Sequence, residues 1–245
     1  MRMLGKRAPR TDHRTLKLAR YLGLPAPPVS ANWDRKVASW PMMLNDTLGD
    51  CVCAAAGHMV EQWSEYAGSE VVLPDSAIES MYEQVGGYVP GQAATDNGCD
   101  MLTALNWWRK TGLSGHKIQA FASLNPSFQA QVKSSVYLFG NVYLGLALPA
   151  TAQHQKTWEV CGDGASGDAA PGSWGGHCVP IVAYNSQTLT VITWGEKMEM
   201  TWPFLLAYAD EAYAVLSPDW SNSKGVAANN FNLTQLQNDL SEVTA

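Results

Sequence analysis

The spacing of apolar positions changes character a little past the middle of the chain. Before residue 136 it follows the three-to-four-residue beat of helices. The run that opens Cys51-Val52-Cys53-Ala54-Ala55 puts Ala55, Met59 and Trp63 on one stripe and meets Gly68 at its end, which predicts a helix beginning near Cys51. Similar spacing predicts helices over Asp75–Gln84 behind a Pro74-Asp75 cap, over Asp100–Thr111 with Met101, Leu102, Leu105 and Trp108 inward, and over Pro126–Ser135. A shorter, partly amphipathic helix is expected over Thr11–Tyr21, and another over residues 230–243. Further on, short apolar or alternating runs bounded by turn residues predict strands at Val142–Leu148, His177–Tyr184, Thr188–Thr193, Met198–Trp202 and Ala212–Leu216. Helices first and strands second indicate an α+β fold, an N-terminal helical layer packed on a C-terminal, mostly antiparallel sheet. The glycine-rich, aperiodic stretch 150–176 reads as a long functional or mobile loop.

Composition adds an asymmetry to this outline. With 46% hydrophobic and 16% charged residues and a net charge of −6, the 245-residue chain is neither disordered nor a generally basic nucleic-acid binder. Residues 1–36 nevertheless hold nine of the sixteen basic residues against only Asp12 and Asp34, a net of +7, which leaves −13 for the rest. The Leu24-Pro25-Ala26-Pro27-Pro28 segment makes a stiff strap between the two. The chain therefore divides into a basic arm and strap at 1–36, a body at 37–220 and a tail at 221–245. The arm is a solvated charge run, a docking element for an anionic partner, or a segment that folds back on its own acidic body. No apolar run approaches the roughly 18 residues of a membrane span, and no apolar core follows the N-terminal basic residues. A soluble protein without a signal peptide is expected, cytoplasmic or virion-associated.

Two segments carry nucleophilic chemistry. Gly49-Asp50-Cys51 sets a thiol where a turn enters a helix, and unpaired N–H groups and the helix dipole there favour thiolate and can hold an oxyanion. Gly176-His177-Cys178 sets an imidazole at the start of a strand, a base for that thiol. Cys53, two residues further along the helix, points about 200° away and reads as core. His58 reads as structural, and no role is assigned to His13, His116 or His154.

In this order the segments resemble the papain-like cysteine peptidases. Gly49-Asp50-Cys51 and its Ala-rich helix resemble the family's nucleophile turn, with Asn45 where the family keeps an oxyanion-hole glutamine. Asp96-Asn97-Gly98-Cys99 resembles the Asn-Gly-Gly cleft wall, Val142–Leu148 the strand leading toward the histidine, and Ile192-Thr193-Trp194-Gly195 the Asn-Ser-Trp-Gly segment that orients and shields the imidazole. The resemblance implies Cys51 as nucleophile, His177 as base, Asn45 as oxyanion donor and Trp194 as shield. The orienting asparagine falls on Ile192 by the Trp-Gly register or on Thr193 counting forward from the histidine. Only the Thr193 hydroxyl of the two can bond an imidazole. The Thr-Trp-Gly turn and Asp210–Ser217 strand also resemble uncharacterised phage and prophage proteins.

Competing readings of the same residues are fewer. His154, Cys161, His177 and Cys178 are metal-ligand types, but their spacing matches no compact zinc pattern, and no cofactor is expected. Cys161 and Cys178 would pair as a disulfide only in an oxidising setting. Trp33, Trp40, Trp63, Trp107 and Trp108 suit a core, whereas Trp174 and Trp158, ahead of His177, suit a cleft wall together with Asn97, Gly98 and Trp194. Two functions follow. One is a cysteine hydrolase cutting an amide bond in a peptide or peptidoglycan stem; the other is a non-catalytic structural protein of a phage virion, capsid- or tail-associated. The partner is then a peptide-like substrate in the first case and neighbouring subunits held by the arm in the second.

Overall fold

The computed structural model describes residues 2–20 and 26–220. Its centre is helix α1, Cys51–Ala67, buried from Cys51 through Ser64 and ended by Gly68 in the left-handed conformation at φ 105°. Small residues make this depth possible: a side chain at Gly57 would overlap the Met43 sulfur. Helices α2 (Asp75–Gly86) and α3 (Met101–Lys110) pack with α1 in the helical layer, whereas α4 (Gln129–Phe139) packs on the sheet. Asp100 caps α3 by accepting the Thr103 N–H at 2.9 Å.

The second layer is, among the described residues, a nine-stranded sheet. Its chain-order strands are β1 (Leu16–Lys17), β2 (Ala31–Asn32), β3 (Ala120–Ser123), β4 (Val142–Leu148), β5 (Thr157–Trp158), β6 (Gly175–Tyr184), β7 (Thr188–Thr193), β8 (Glu196–Thr201) and β9 (Ala209–Leu216). They lie in the order β1-β3-β9-β4-β6-β7-β8-β5, with β2 pairing β6. All pairings are antiparallel except β1 with β3 and β5 with β8. The α+β expectation thus holds, and α1 packs against β6. The Trp63 indole donates to the Phe139 carbonyl at 2.7 Å and Trp220 to Leu138 at 2.8 Å, so the aromatic core is tied to the end of α4. Trp40, Trp63 and Trp108 are buried as expected, while Trp33 and Trp107 are half-buried at the edge of the core.

Several boundaries differ from the sequence reading. Residues 11–20 form no α-helix; Asp12 accepts the N–H and guanidinium of Arg14 in a local turn, and Leu16–Lys17 pairs with β3 as an edge strand. Helix α4 starts at Gln129 because the Asn125 side chain accepts the Ser127 N–H, closing a turn across Pro126. The strand expected to reach Trp202 stops at Thr201, whose hydroxyl accepts the Phe204 N–H and caps a further helix, α5 (Trp202–Tyr208). The stretch 150–176 holds short turns of 3₁₀ helix, β5 and the first two residues of β6. The expected 230–243 helix and Leu24-Pro25 of the strap lie outside the described residues. Among the described residues no helix is long and apolar enough to cross a membrane.

Candidate active site

Cys51 is the first residue of α1, so its main-chain N–H has no acceptor within the helix. Its side chain is 1% exposed. Burial pushes the thiol up to about 12, with Cys99 and Asp50 adding to the rise and the main-chain N–H groups of Cys178 and Gly5, directed at the sulfur, opposing it. His177 is on β6, one residue before that Cys178, and is fully buried. Burial, with the Arg2 charge nearby, pulls its imidazole down to about 3. The thiol and the imidazole are therefore both neutral in this state.

The imidazole is fixed on two sides. Nε2 lies 2.7 Å from Thr193 Oγ1, while Nδ1 is buried and makes no hydrogen bond. The Trp194 indole stacks on the ring at 4.4 Å and 14°. Alternation along β7 explains why Thr193 and not Ile192 meets the histidine: Ile192 faces the other way, into a small cluster with Val37, Trp40 and Val182. Trp194 and Gly195 form a two-residue turn between β7 and β8 with φ of 49° and 73°. A tryptophan in the left-handed region is costly, and here the turn lays its ring over His177. Trp174 packs on Trp194 at 5.5 Å, whereas Trp158 is fully buried behind it, against Phe204, and belongs to the core rather than to a cleft wall.

On the helical side, Asn45 is buried, and its amide donates to Asp50 Oδ1 at 3.1 Å and to the Leu48 carbonyl at 3.2 Å. It shapes the turn ahead of Cys51; its donors are already used. Asp50 is fully buried, and burial raises its carboxyl well above the usual range. Asp96 joins the turn before Cys51 to the Asn97-Gly98 segment, a role its place in the sequence does not show. Its carboxylate accepts the Gly49 N–H at 3.0 Å and the Tyr82 hydroxyl at 2.6 Å. Cys53 lies in the core against Cys99. His58 is buried, with Nε2 2.8 Å from the Pro41 carbonyl. All five cysteines are free thiols, and among the described residues no three His, Cys, Asp or Glu side chains gather to hold a metal ion.

The cleft between the two layers is filled by the arm. Lys6 bridges to Cys99 in parallel register, with Cys99 N–H donating to the Gly5 carbonyl and Arg7 N–H to the Cys99 carbonyl, both at 2.9 Å. On the sheet side, Lys6 N–H donates to the Gly176 carbonyl at 3.1 Å, and the Trp194 indole donates to the Met3 carbonyl at 3.1 Å. Met3 N–H donates to the Asn45 carbonyl, also at 3.1 Å. Residues 5 and 6 thus touch both Gly49, two before Cys51, and Gly176, one before His177. The fit is close: a Cβ on Gly5 would overlap the Gly49 carbonyl, and one on Gly98 or Gly176 would overlap the arm backbone. Arg2 reaches Glu196 at 2.6 Å and lies over the Trp194 ring. Of the readings open for the arm, docking on its own body describes residues 2–10.

Neither a family model nor a curated protein matches this sequence. Solved structures do match in shape. Xylellain, a cysteine protease from Xylella fastidiosa, superposes over 88% of this chain and 97% of its own with a TM-score of 0.68 at 10% identity. The cysteine protease and lectin-like domains of Cwp84, a surface layer associated protein of Clostridium difficile, give 0.62 at 14% identity over 89% of this chain and 57% of that one. The Carica candamarcensis cysteine protease CMS1MS2 gives 0.54 at 14% identity over 80% and 99%. The fold is that of the papain-like cysteine proteases.

Proposed function

We propose that the protein is a papain-like cysteine hydrolase that cuts an amide bond in a peptide or peptidoglycan stem, held latent while the arm fills its cleft. The observation that carries this reading is the fixing of His177 by Thr193 and Trp194 with Nδ1 left as its unpaired nitrogen. With the ring proton on Nε2, donated to Thr193 Oγ1, Nδ1 holds the lone pair that takes the Cys51 proton. The thiolate attacks the carbonyl carbon, and the developing oxyanion is held by the Cys51 main-chain N–H. The imidazolium returns the proton to the leaving nitrogen as the C–N bond breaks. Water then adds to the thioester with His177 as base, and the acid and free thiol are released. Thr193 replaces a side-chain amide as orienter, and Asn45 supports the turn without donating to the oxyanion.

Burial under the arm works against the first step, since it raises the thiol and lowers the imidazole and so keeps the proton on sulfur. Opening the cleft is therefore part of the reaction. The test is hydrolysis of a peptide library by the full chain carrying Gly5→Val, with and without Cys51→Ser. Cleavage that needs Cys51 supports the reading. Absence of cleavage of any peptide or stem peptide by the opened chain leaves the non-catalytic virion reading in its place.

A further inference from the structure

The Lys6 side chain enters a pocket that the fold has shaped around it. It is 1% exposed, with Nζ 2.9 Å from Asp210 Oδ2, 3.3 Å from Glu211 Oε1 and 3.0 Å from the Arg7 carbonyl. Asp210 and Glu211 are consecutive in β9, and consecutive strand residues normally face opposite sides. Here the β4–β9 register shifts between Gly145, opposite Glu211, and Leu146, opposite Ala209. Asp210 is the extra residue of a bulge, and the bulge turns both carboxylates to one point. Opposite them Gly145 has no side chain; a Cβ there would overlap Lys6 Cε and come within 2.7 Å of Glu211 Cγ and 2.8 Å of Asp210 Oδ1. A bulge, a missing side chain and two acids make a site for one cation.

Only the side chain in it belongs to the arm. The pocket opens from the cleft where Lys6 N–H meets Gly176, one residue before His177. Asp210 and Glu211 also border an open cavity of about 660 Å³ whose lining includes Pro9, Arg10 and Lys17 of the arm. With the arm withdrawn, both carboxylates would face whatever chain lies in the cleft. Glu211 would then be a buried carboxylate held only by the Tyr213 hydroxyl at 3.0 Å, beside the partly exposed Asp210, an arrangement that favours entry of another cation.

We propose that the Asp210–Glu211 pocket is a specificity subsite that takes a lysine side chain of a peptide bound in the cleft, and that Lys6 holds the place of that side chain in the closed state. This deepens the hydrolase reading and rests on the cleft being its peptide-binding surface. The charge pair does the selecting, so lysine and norleucine, which keeps the four-carbon chain and lacks the ammonium, should be told apart.

The test measures binding apart from turnover. The full chain carrying Gly5→Val and Lys6→Ala opens the cleft and empties the pocket. A fluorescein-labelled peptide Arg-Met-Leu-Gly-Lys-Arg-Ala-Pro, matching residues 2–9, is titrated against it by anisotropy, beside the same peptide with norleucine for the lysine. The lysine peptide should bind about tenfold or more tightly, the size of one charge-assisted hydrogen bond. Adding Asp210→Asn and Glu211→Gln should remove the preference, and so should Gly145→Val, which crowds the pocket while leaving the number of charges unchanged. Equal affinities for the two peptides overturn the proposal, as does no binding of either. This comparison needs no pocket variant to fold. Turnover is read separately: a preserved lysine preference with no cleavage of any peptide refutes the hydrolase and keeps the pocket, whereas cleavage indifferent to lysine does the reverse.

Discussion

Gly5→Val is the most direct perturbation of the closed state. A Cβ at position 5 overlaps the Gly49 carbonyl, which is main chain beside the buried start of α1 and has little room to retreat. The arm is held by Met3 N–H on Asn45, Gly5 and Arg7 on Cys99, Lys6 N–H on Gly176 and Trp194 on Met3. At about 1 kcal/mol net apiece these give about 5 kcal/mol. Ordering residues 3–7 costs roughly the same or somewhat more. The seat is therefore nearly balanced before the Lys6 ion pairs are added, and one steric conflict should empty it. Withdrawal would let the Cys51 thiol fall from about 12 toward its ordinary 9.0. Three pKa units raise the thiolate fraction at neutral pH by about a thousandfold. The lower basicity of the thiolate takes part of this back, with a Brønsted slope of about 0.4–0.5, leaving about a 30- to 60-fold faster reaction with a disulfide reagent. The assay is labelling by dithiodipyridine at pH 7.5 with mass-spectrometric assignment to Cys51, and circular dichroism checks that the fold is kept. Cys51 reacting no faster in Gly5→Val than in the unaltered chain would refute the view that the arm controls access to the thiol.

Other expectations are more local. Thr193→Val removes the partner of His177 Nε2 and, in the Gly5→Val background, should lower kcat/KM by about 10- to 150-fold, the loss of one bond to a charged imidazolium, with recovery by Thr193→Ser. Glu61 is fully buried with neither carboxylate oxygen hydrogen-bonded, and burial, with Glu70 nearby, raises it to about 8. Its proton is kept in the folded state but lost from the unfolded chain above about 4.5, so stability should fall as pH rises from 4.5 to 8, by a few kcal/mol at most. Glu61→Gln should flatten that slope in urea titrations, and an unchanged slope would contradict it. His58 and His177 act in the opposite sense: burial holds them down at about 4 and about 3, so the unfolded chain binds protons first and stability should drop as pH falls below 6.5. His58→Gln should shift the acid-unfolding midpoint downward. Tyr143→Phe leaves the buried Val52 carbonyl without the tyrosine hydroxyl and should cost about 1–2 kcal/mol in denaturant unfolding.

What the sequence made legible was decided by where the signal was local. The α1 start at Cys51, the αL stop at Gly68 and the β4 and β7 bounds follow from apolar spacing, the glycine at the helix end and alternation within a few residues. The choice between Ile192 and Thr193 needed the direction in which β7 runs past His177, which is a property of pairing and not of the segment itself. Asp96 reads as part of a turn until Tyr82 and Gly49 are brought to it from 14 and 47 residues away. The β9 bulge depends on a register with β4, so the paired acids at 210–211 showed only as charge on a strand. The arm was visible as an excess of +7 over residues 1–36, but the residue that seats it is the uncharged Gly5, whose need to be glycine appears only against Gly49. The helix expected over Thr11–Tyr21 failed for a related reason: an edge strand and an Asx turn outcompete a short helix that has only one apolar stripe to bury.

The arm also sets an order of assembly. Its partners lie far along the chain: Arg2 and Glu196 are 194 residues apart, Met3 and Trp194 191, and Lys6 and Asp210 204. Every one of them is translated after the arm itself, and the last belong to β9. Closing so long a loop is slow and earns nothing until the groove exists. The groove that receives the arm is complete only once β9 has joined the sheet, so the arm can settle into it only after the two layers have come together around α1.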